Sequence, residues 1–137
     1  MDVNSVSSPI DIAISGMRAE WQRMSIVSNN IANTKTTRNA SGEPKPYCRQ
    51  DIVLSTSADS LGGISSVEVV TDTSTDFKRV YIEGHPDADE HGFVLMPNVD
   101  LPVEMMNMIS ASRAYQANVA VLKRYQDIVE VTLELLK

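Results

Sequence analysis

The chain has 137 residues, of which 42% are hydrophobic, 22% charged and only 5% aromatic. That composition suits one domain with an aliphatic, methionine-rich core and excludes both bulk disorder and a second full domain. A net charge of -6 and a pI near 4.8, with no Lys/Arg cluster to offset them, argue against nucleic acid or an anionic membrane surface as partner.

The N-terminal MDVNSVSSPIDIAIS lacks the basic and continuously apolar regions of a cleaved secretory signal. Taken alone this suggests a cytoplasmic protein, although signal-independent export would look the same. From Pro9 a helix is expected, with Ser8 as N-cap and Asp11 in its first turn. Along it Ile10, Ile14, Met17, Trp21, Met24, Ser28 and Ile31 alternate steps of four and three, a heptad seam. Poor helix formers at Asn33, Thr34, Thr36 and Thr37 end the helix near Asn33, and Gly42, Pro44 and Pro46 forbid its continuation.

Residues 34–47 read as an extended polar linker, because the residue before each proline is pushed out of the helical region. Tyr47–Ser55, Ser66–Thr71 and Lys78–Glu83 then read as three strands, separated by turn-rich Ser57–Gly63 and Asp72–Asp76. Residues 84–100 show charge, glycine and proline without periodicity, and are expected to be a loop. Asp100, or Asn98 before it, can cap the last helix, with Pro102 in the first turn.

That last helix runs unbroken from Leu101 to Leu136. At ~1.5 Å per residue it would reach roughly 50 Å, against a radius of gyration near ~14 Å for a globule of this length. Its seam is Leu101, Met105, Met108, Ser112, Tyr115, Val119, Leu122, Gln126, Val129, Leu133 and Leu136, beside a second apolar stripe of Ala114, Val121, Tyr125, Ile128 and Leu135. A helix apolar on two faces needs more than one neighbour. One buried seam does not offset the ordering of so long a helix, so the terminal helices are expected to be partly disordered in the free chain and to order on assembly. The fold class is thus mainly α with a small β element: a helical domain of residues 1–33 and 101–137 as a coiled-coil-like pair, with 34–100 as linker, β region and loop. No window offers the ~20 apolar residues of a membrane span.

Chemistry is sparse. His85, Asp87, Asp89, Glu90 and His91 form the only dense set of ligand-type side chains, but histidine at position five, Asn98 at position twelve and the missing preceding helix depart from a calcium loop. The alternative is a rigid loop whose carboxylates hold backbone amides. No nucleophile, metalloprotease, P-loop or dinucleotide pattern is present, so no catalytic residue, metal or cofactor is assigned, and Cys48 is read as a bystander thiol. Asn29, Asn30 and Asn33 lie at the end of the first helix, where capping is the ordinary reading.

Ser28-Asn29-Asn30-Ile31-Ala32-Asn33 followed by Thr36-Thr37, however, resembles the N-terminal signature of bacterial flagellar basal-body rod and hook proteins. Gly84 to Glu90, Gly92 to Val94, Met96 to Val99, Glu104 to Met106 and Met108 to Val119 resemble the C-terminal half of a rod member, and Pro46-Tyr47 with Arg49-Gln50 fit the linker. Cys48 and Trp21 are individual departures. The resemblance implies a structural subunit exported through the flagellar type III gate without a cleaved signal. It would polymerise in the periplasm, with itself and other rod proteins, into the drive shaft around the export channel. Its partners would be those proteins and the export apparatus; its terminal helices would line a nested coiled-coil tube. On that basis Ile14, Met17, Trp21, Met24 and Ile31 are expected to meet Met105, Met108, Tyr115, Val119 and Leu122 within or between subunits, with Val129 further along the same seam. Arg113, among Ser110, Ala111, Ser112 and Ala114, would pair with a carboxylate at an interface. Asn29, Asn30 and Asn33 would fix the helix exit, and the loop of His85, Asp87 and Asp89 would make contacts of its own. A soluble coiled-coil adaptor or export chaperone working in the cytoplasm is the alternative.

Overall fold

The computed structural model describes residues 9–56 and 63–135. The cap Ser8, the seam residue Leu136 and most of the turn 57–63 lie outside them. Helix α1 spans Pro9–Ala32, with Asp11 in its first turn. It stops through tight turns, since Asn33 N–H reaches both the Asn29 and Asn30 carbonyls and Thr34 N–H the Ile31 carbonyl. Helix α2 spans Leu101–Glu134 as one element. Asp100 is its N-cap, accepting from the Val103 N–H, and Pro102 sits in the first turn where its missing donor costs nothing.

Between the helices lie two antiparallel hairpins. Strands β1 (Gln50–Thr56) and β2 (Ile64–Thr71) pair from Gln50↔Thr71 to Ser55↔Ser66, with an irregularity before Thr56↔Ile64. Strands β3 (Lys78–Tyr81) and β4 (Phe93–Met96) pair with Arg79 opposite Leu95 and Tyr81 opposite Phe93. The last of these corrects the expectation of a structureless segment over 84–100. A four-residue apolar run, Phe93-Val94-Leu95-Met96, is too short to display a period, yet it pairs with β3, buries Val94 completely and leaves Phe93 and Leu95 exposed.

The linker also differs from a simply extended one. Tyr47 N–H donates to the Thr36 carbonyl at 2.9 Å, so the two ends of the segment meet. Inside this loop the Asn39 carboxamide oxygen accepts from the Ser41 and Glu43 amides, and Gly42 takes φ +81°, which a side chain would disfavour. At Asp72 the carboxylate collects the amides and hydroxyls of Ser74 and Thr75, as expected of a turn.

Among the described residues the buried hydrophobic side chains are few and small: Ala13, Ala19, Val27, Val94, Val99 and Ala111. Asn30, Asn98 and Glu104 are buried with them. None of the described helices is long and apolar enough to cross a membrane.

Candidate assembly surface and its polar junction

Where α1 ends, β1 begins and α2 starts, a closed ring of polar side chains forms. Asn30, with no exposed surface, sets its carboxamide against the main chain of Gln50: Oδ1 accepts the Gln50 N–H at 3.0 Å and Nδ2 donates to the Gln50 carbonyl at 2.7 Å. Because one backbone group must donate and the other accept, the amide's orientation is settled by the chain itself. Oδ1 also accepts the Tyr47 hydroxyl at 2.9 Å. The second Nδ2 hydrogen then needs an acceptor, and Glu104 Oε2 supplies it at 3.0 Å. Glu104 Oε1 takes the Arg49 Nε–H at 2.8 Å, and Arg49, next to Gln50 in sequence, closes the ring. Burial works against the Arg49 charge, but its bonds to Glu104 and Asp51 outweigh it and leave the guanidinium pKa raised. Burial likewise pushes the Tyr47 phenol upward.

Asn98 extends this junction. It does not cap α2, the alternative the sequence left open. Its Oδ1 accepts the Arg49 N–H at 2.7 Å and its Nδ2 donates to the Asp72 and Thr75 carbonyls at 3.0 and 3.1 Å. Cys48 adds a thiol bond to the Asp72 carbonyl.

The other expected contact residues are all placed. Asn33 Nδ2 donates to the Asn29 carbonyl and its Oδ1 accepts the Thr36 hydroxyl, while Asn29 contributes its carbonyl and keeps an exposed side chain. The Asp87 carboxylate takes the Thr37 hydroxyl at 2.8 Å and the Arg38 guanidinium at 2.7 Å, which holds its pKa below the usual range and ties the loop to the linker of its own chain. His85 Nδ1 accepts the Asp87 N–H. Asp89 accepts the Phe93 and His91 amides, the Phe93 bond being the main cause of its lowered pKa, and pairs with Arg79. These carboxylates hold amides and cations of the fold; among the described residues no three His, Cys, Asp or Glu side chains converge on a metal position.

The helix pair runs antiparallel. Asn30 bonds Glu104, and two heptads on in each helix a Cβ added at Gly16 would stand 2.8 Å from the Asn118 side chain. The shared face therefore contains Gly16, Arg23 and Asn30 on α1 and Glu104, Ala111 and Asn118 on α2. This face lies one residue to the N-terminal side of the expected seam in both helices. Small residues let the backbones approach closely, and the large apolar ones stand aside.

The consequence for the expected interface is plain. Trp21 is 62% exposed, and Met105 and Val129 are also exposed. Ile14, Met17, Met24, Ile31, Met108, Tyr115, Val119 and Leu122 are half-buried along the flanks of the pair. Arg113 is exposed with no ion pair among the described residues. Around them Leu101, Val103, Met106 (71% exposed), Ile109, Val121 and Ile128 add further exposed apolar side chains, the kind of surface that marks an interaction site.

Glu104, Arg49 and Tyr47 went unassigned in the sequence. The readable signal was a carboxylate set in the apolar run Val103–Met108, one heptad from Ala111 and two from Asn118.

Sequence comparison gives this geometry a context. Residues 10–38 match the family described as flagella basal body rod protein, and residues 90–135 that described as flagellar basal body rod FlgEFG protein C-terminal. The flagellar basal-body rod protein FlgC of Agrobacterium fabrum is 36% identical over 137 residues, covering 98% of each chain. That of Escherichia coli O6:H1 is 39% identical over 128 residues (91% of this chain, 93% of the relative), and that of Bacillus subtilis 32% identical over 142 (92% and 95%). With the α1 exit, the junction and the whole of α2 inside these alignments, the chain belongs to the bacterial flagellar basal-body rod protein family.

Proposed function

We infer that this chain is a structural subunit of the flagellar basal-body rod, built to be packed among other rod subunits and not to carry out catalysis. The observation that carries this reading is the exposed apolar surface along α2 and the outer side of α1, in a chain of the rod family. Helices α1 and α2 form the axial core, and the linker, hairpins and loop of residues 34–100 the lateral part. In the rod the α2 face from Leu101 to Ile109 and the Trp21 side of α1 are covered by neighbouring subunits, with Ile14, Met17, Met24, Ile31, Met108, Tyr115, Val119, Leu122 and Val129 along the edges of the contact. The subunit leaves the cytoplasm through the flagellar export apparatus and assembles in the periplasm around the export channel, so that the finished array transmits motor torque.

Two substitutions test the surface. Met106→Glu and Ile109→Glu change exposed positions and so leave the fold of the chain intact. Each places a charge where a neighbour would bury it. The expected result is a chain that is made and exported but absent from detergent-extracted basal bodies, with motility lost. Normal motility in both variants, or wild-type chain that stays in the cytosolic fraction and never pellets with basal bodies, would overturn the reading; the second outcome would favour an adaptor or chaperone.

A further inference from the structure

We propose that Glu104 and Asn30 are positioning residues that choose which face of the α1–α2 pair is buried, and thereby keep the larger apolar stripe turned outward. The sequence holds two competing seams. One, through Met17, Trp21, Met24 and Ile31 on α1 and Met105, Ser112 and Val119 on α2, is rich in large apolar side chains. The other, through Gly16, Arg23, Asn30, Glu104, Ala111 and Asn118, is small and polar, and it is the one the chain uses. The two differ by a single residue in each helix, a turn of about 100° of each helix about its axis and, because the pair is antiparallel, a relative slide of ~3 Å. Apolar burial alone favours the first seam, which would place Met17 by Val119 and Ile31 by Met105.

What opposes it is the ring. Asn30 is held to Gln50 by two hydrogen bonds, and Arg49 immediately precedes Gln50 in the chain, so three members of the ring move together. Glu104 is the member from α2. Rotating that helix by one residue would withdraw the carboxylate, leave an Asn30 amide N–H buried without an acceptor and leave the Arg49 guanidinium with Asp51 alone, a heavier loss than the apolar gain. The polar ring therefore acts against self-satisfaction of the helix pair: side chains that could be buried inside one subunit are kept for its neighbours. This second clause rests on the reading of that stripe as an assembly surface, whereas the choice of seam does not.

Trp21, the only tryptophan, reports the rotation, because it is exposed in the observed seam and would be enclosed in the other. The test uses the purified full-length chain at dilutions verified as monomeric. Glu104→Leu is compared with the triple variant Asn30→Leu/Arg49→Met/Glu104→Leu, which removes the Arg49–Glu104 pair together and so leaves neither of its charges unpaired. Relative to the parent, these variants are expected to shift Trp21 emission to the blue and reduce its quenching by acrylamide, with helicity retained. In a Cys48→Ser background, the parent should oxidise the pair Gly16→Cys/Asn118→Cys about tenfold more readily than Met17→Cys/Val119→Cys, and the triple variant should reverse that order. Met108→Ala, a volume loss on the same helix, should lower stability without moving Trp21 emission. An unshifted Trp21 with the 16–118 preference intact in the folded triple variant overturns the proposal. So does loss of helicity in both ring variants, since the ring would then be required for folding and would choose nothing. Rod assembly is not read in this experiment, so its outcome is separate from that of the Met106 and Ile109 substitutions.

Discussion

Asn30 makes four hydrogen bonds with one carboxamide, and each of its partners is a group that burial leaves little other choice. Replacing it with alanine strands Glu104 Oε2, the Tyr47 hydroxyl and both main-chain groups of Gln50 at once. The expected cost is on the order of 3 kcal/mol, readable as a lowered urea midpoint at unchanged m-value. A cost below about 1 kcal/mol would mean that water takes over these bonds. Asp72 makes a prediction of a different kind. The Ser74 and Thr75 hydroxyls, with their amides, lower its pKa to about 2, and Asp87 and Asp89 are lowered as well. In the unfolded chain such groups titrate near ~3.9. Between these values the unfolded state binds a proton that folded Asp72 refuses, so the stability Asp72 confers is present above pH ~4 and drains away as pH falls towards 2, with Asp87 and Asp89 acting in the same direction. Thermal midpoints followed by circular dichroism should drop across that window, and Asp72→Ala should flatten part of the slope; an identical slope in the variant would remove Asp72 from the account.

Both helices were legible from their ends: Pro9 with Asp11, Asp100 with Pro102, and the absence of any breaker between Leu101 and Glu134. The seam was legible only to within one residue. Periodicity weights large apolar side chains, and here the closest approach belongs to Gly16, Ala111 and a pair of polar residues whose partners lie 20 and 74 positions away in sequence. No local pattern can announce such a bond. Strand β4 was hidden for a related reason, since its period is satisfied by pairing with β3 and not by four residues of its own. That hairpin has a specific weak point. Gly92 has φ +79°, and a Cβ there would stand 2.6 Å from the Tyr81 ring, which packs edge-on against Phe93 at 5.6 Å. Gly92→Ala should therefore cost about 1–3 kcal/mol from backbone strain and ring displacement. Hydrogen exchange should accelerate in 78–96 and leave α1 and the first half of α2 unchanged. Equal acceleration throughout would show that the hairpin and the helix pair open as one unit.

At the scale of the whole molecule, the antiparallel register brings Pro9 level with Tyr125. The remainder of α2 has no stretch of α1 beside it among the described residues, and there Ile128, Val131, Leu133 and Leu135 are all largely exposed. Near Glu104 the helix is held by the ring, by Asn98 and by the buried Val94 and Val99. Among the described residues nothing comparable holds it beyond Tyr125. Isolated helical segments of such length are marginal in water, so the chain should carry a gradient of order, firm at the junction and loose towards the far end of α2. Hydrogen exchange on the free chain is expected to show amides of 104–118 protected and those of 126–134 exchanging close to the unstructured rate. In isolated basal bodies the second group should slow by orders of magnitude, because neighbours would bury the residues that the chain leaves bare. Uniform protection of 101–134 in the free chain would contradict this, and would make α2 a helix that stands by itself. Arg113 separates order from assembly. It is exposed and without an ion pair among the described residues, so Arg113→Ala should leave the free-chain exchange pattern and secretion untouched while reducing the yield of intact rods. Full rod yield in that variant would confine the interface to the apolar stripe.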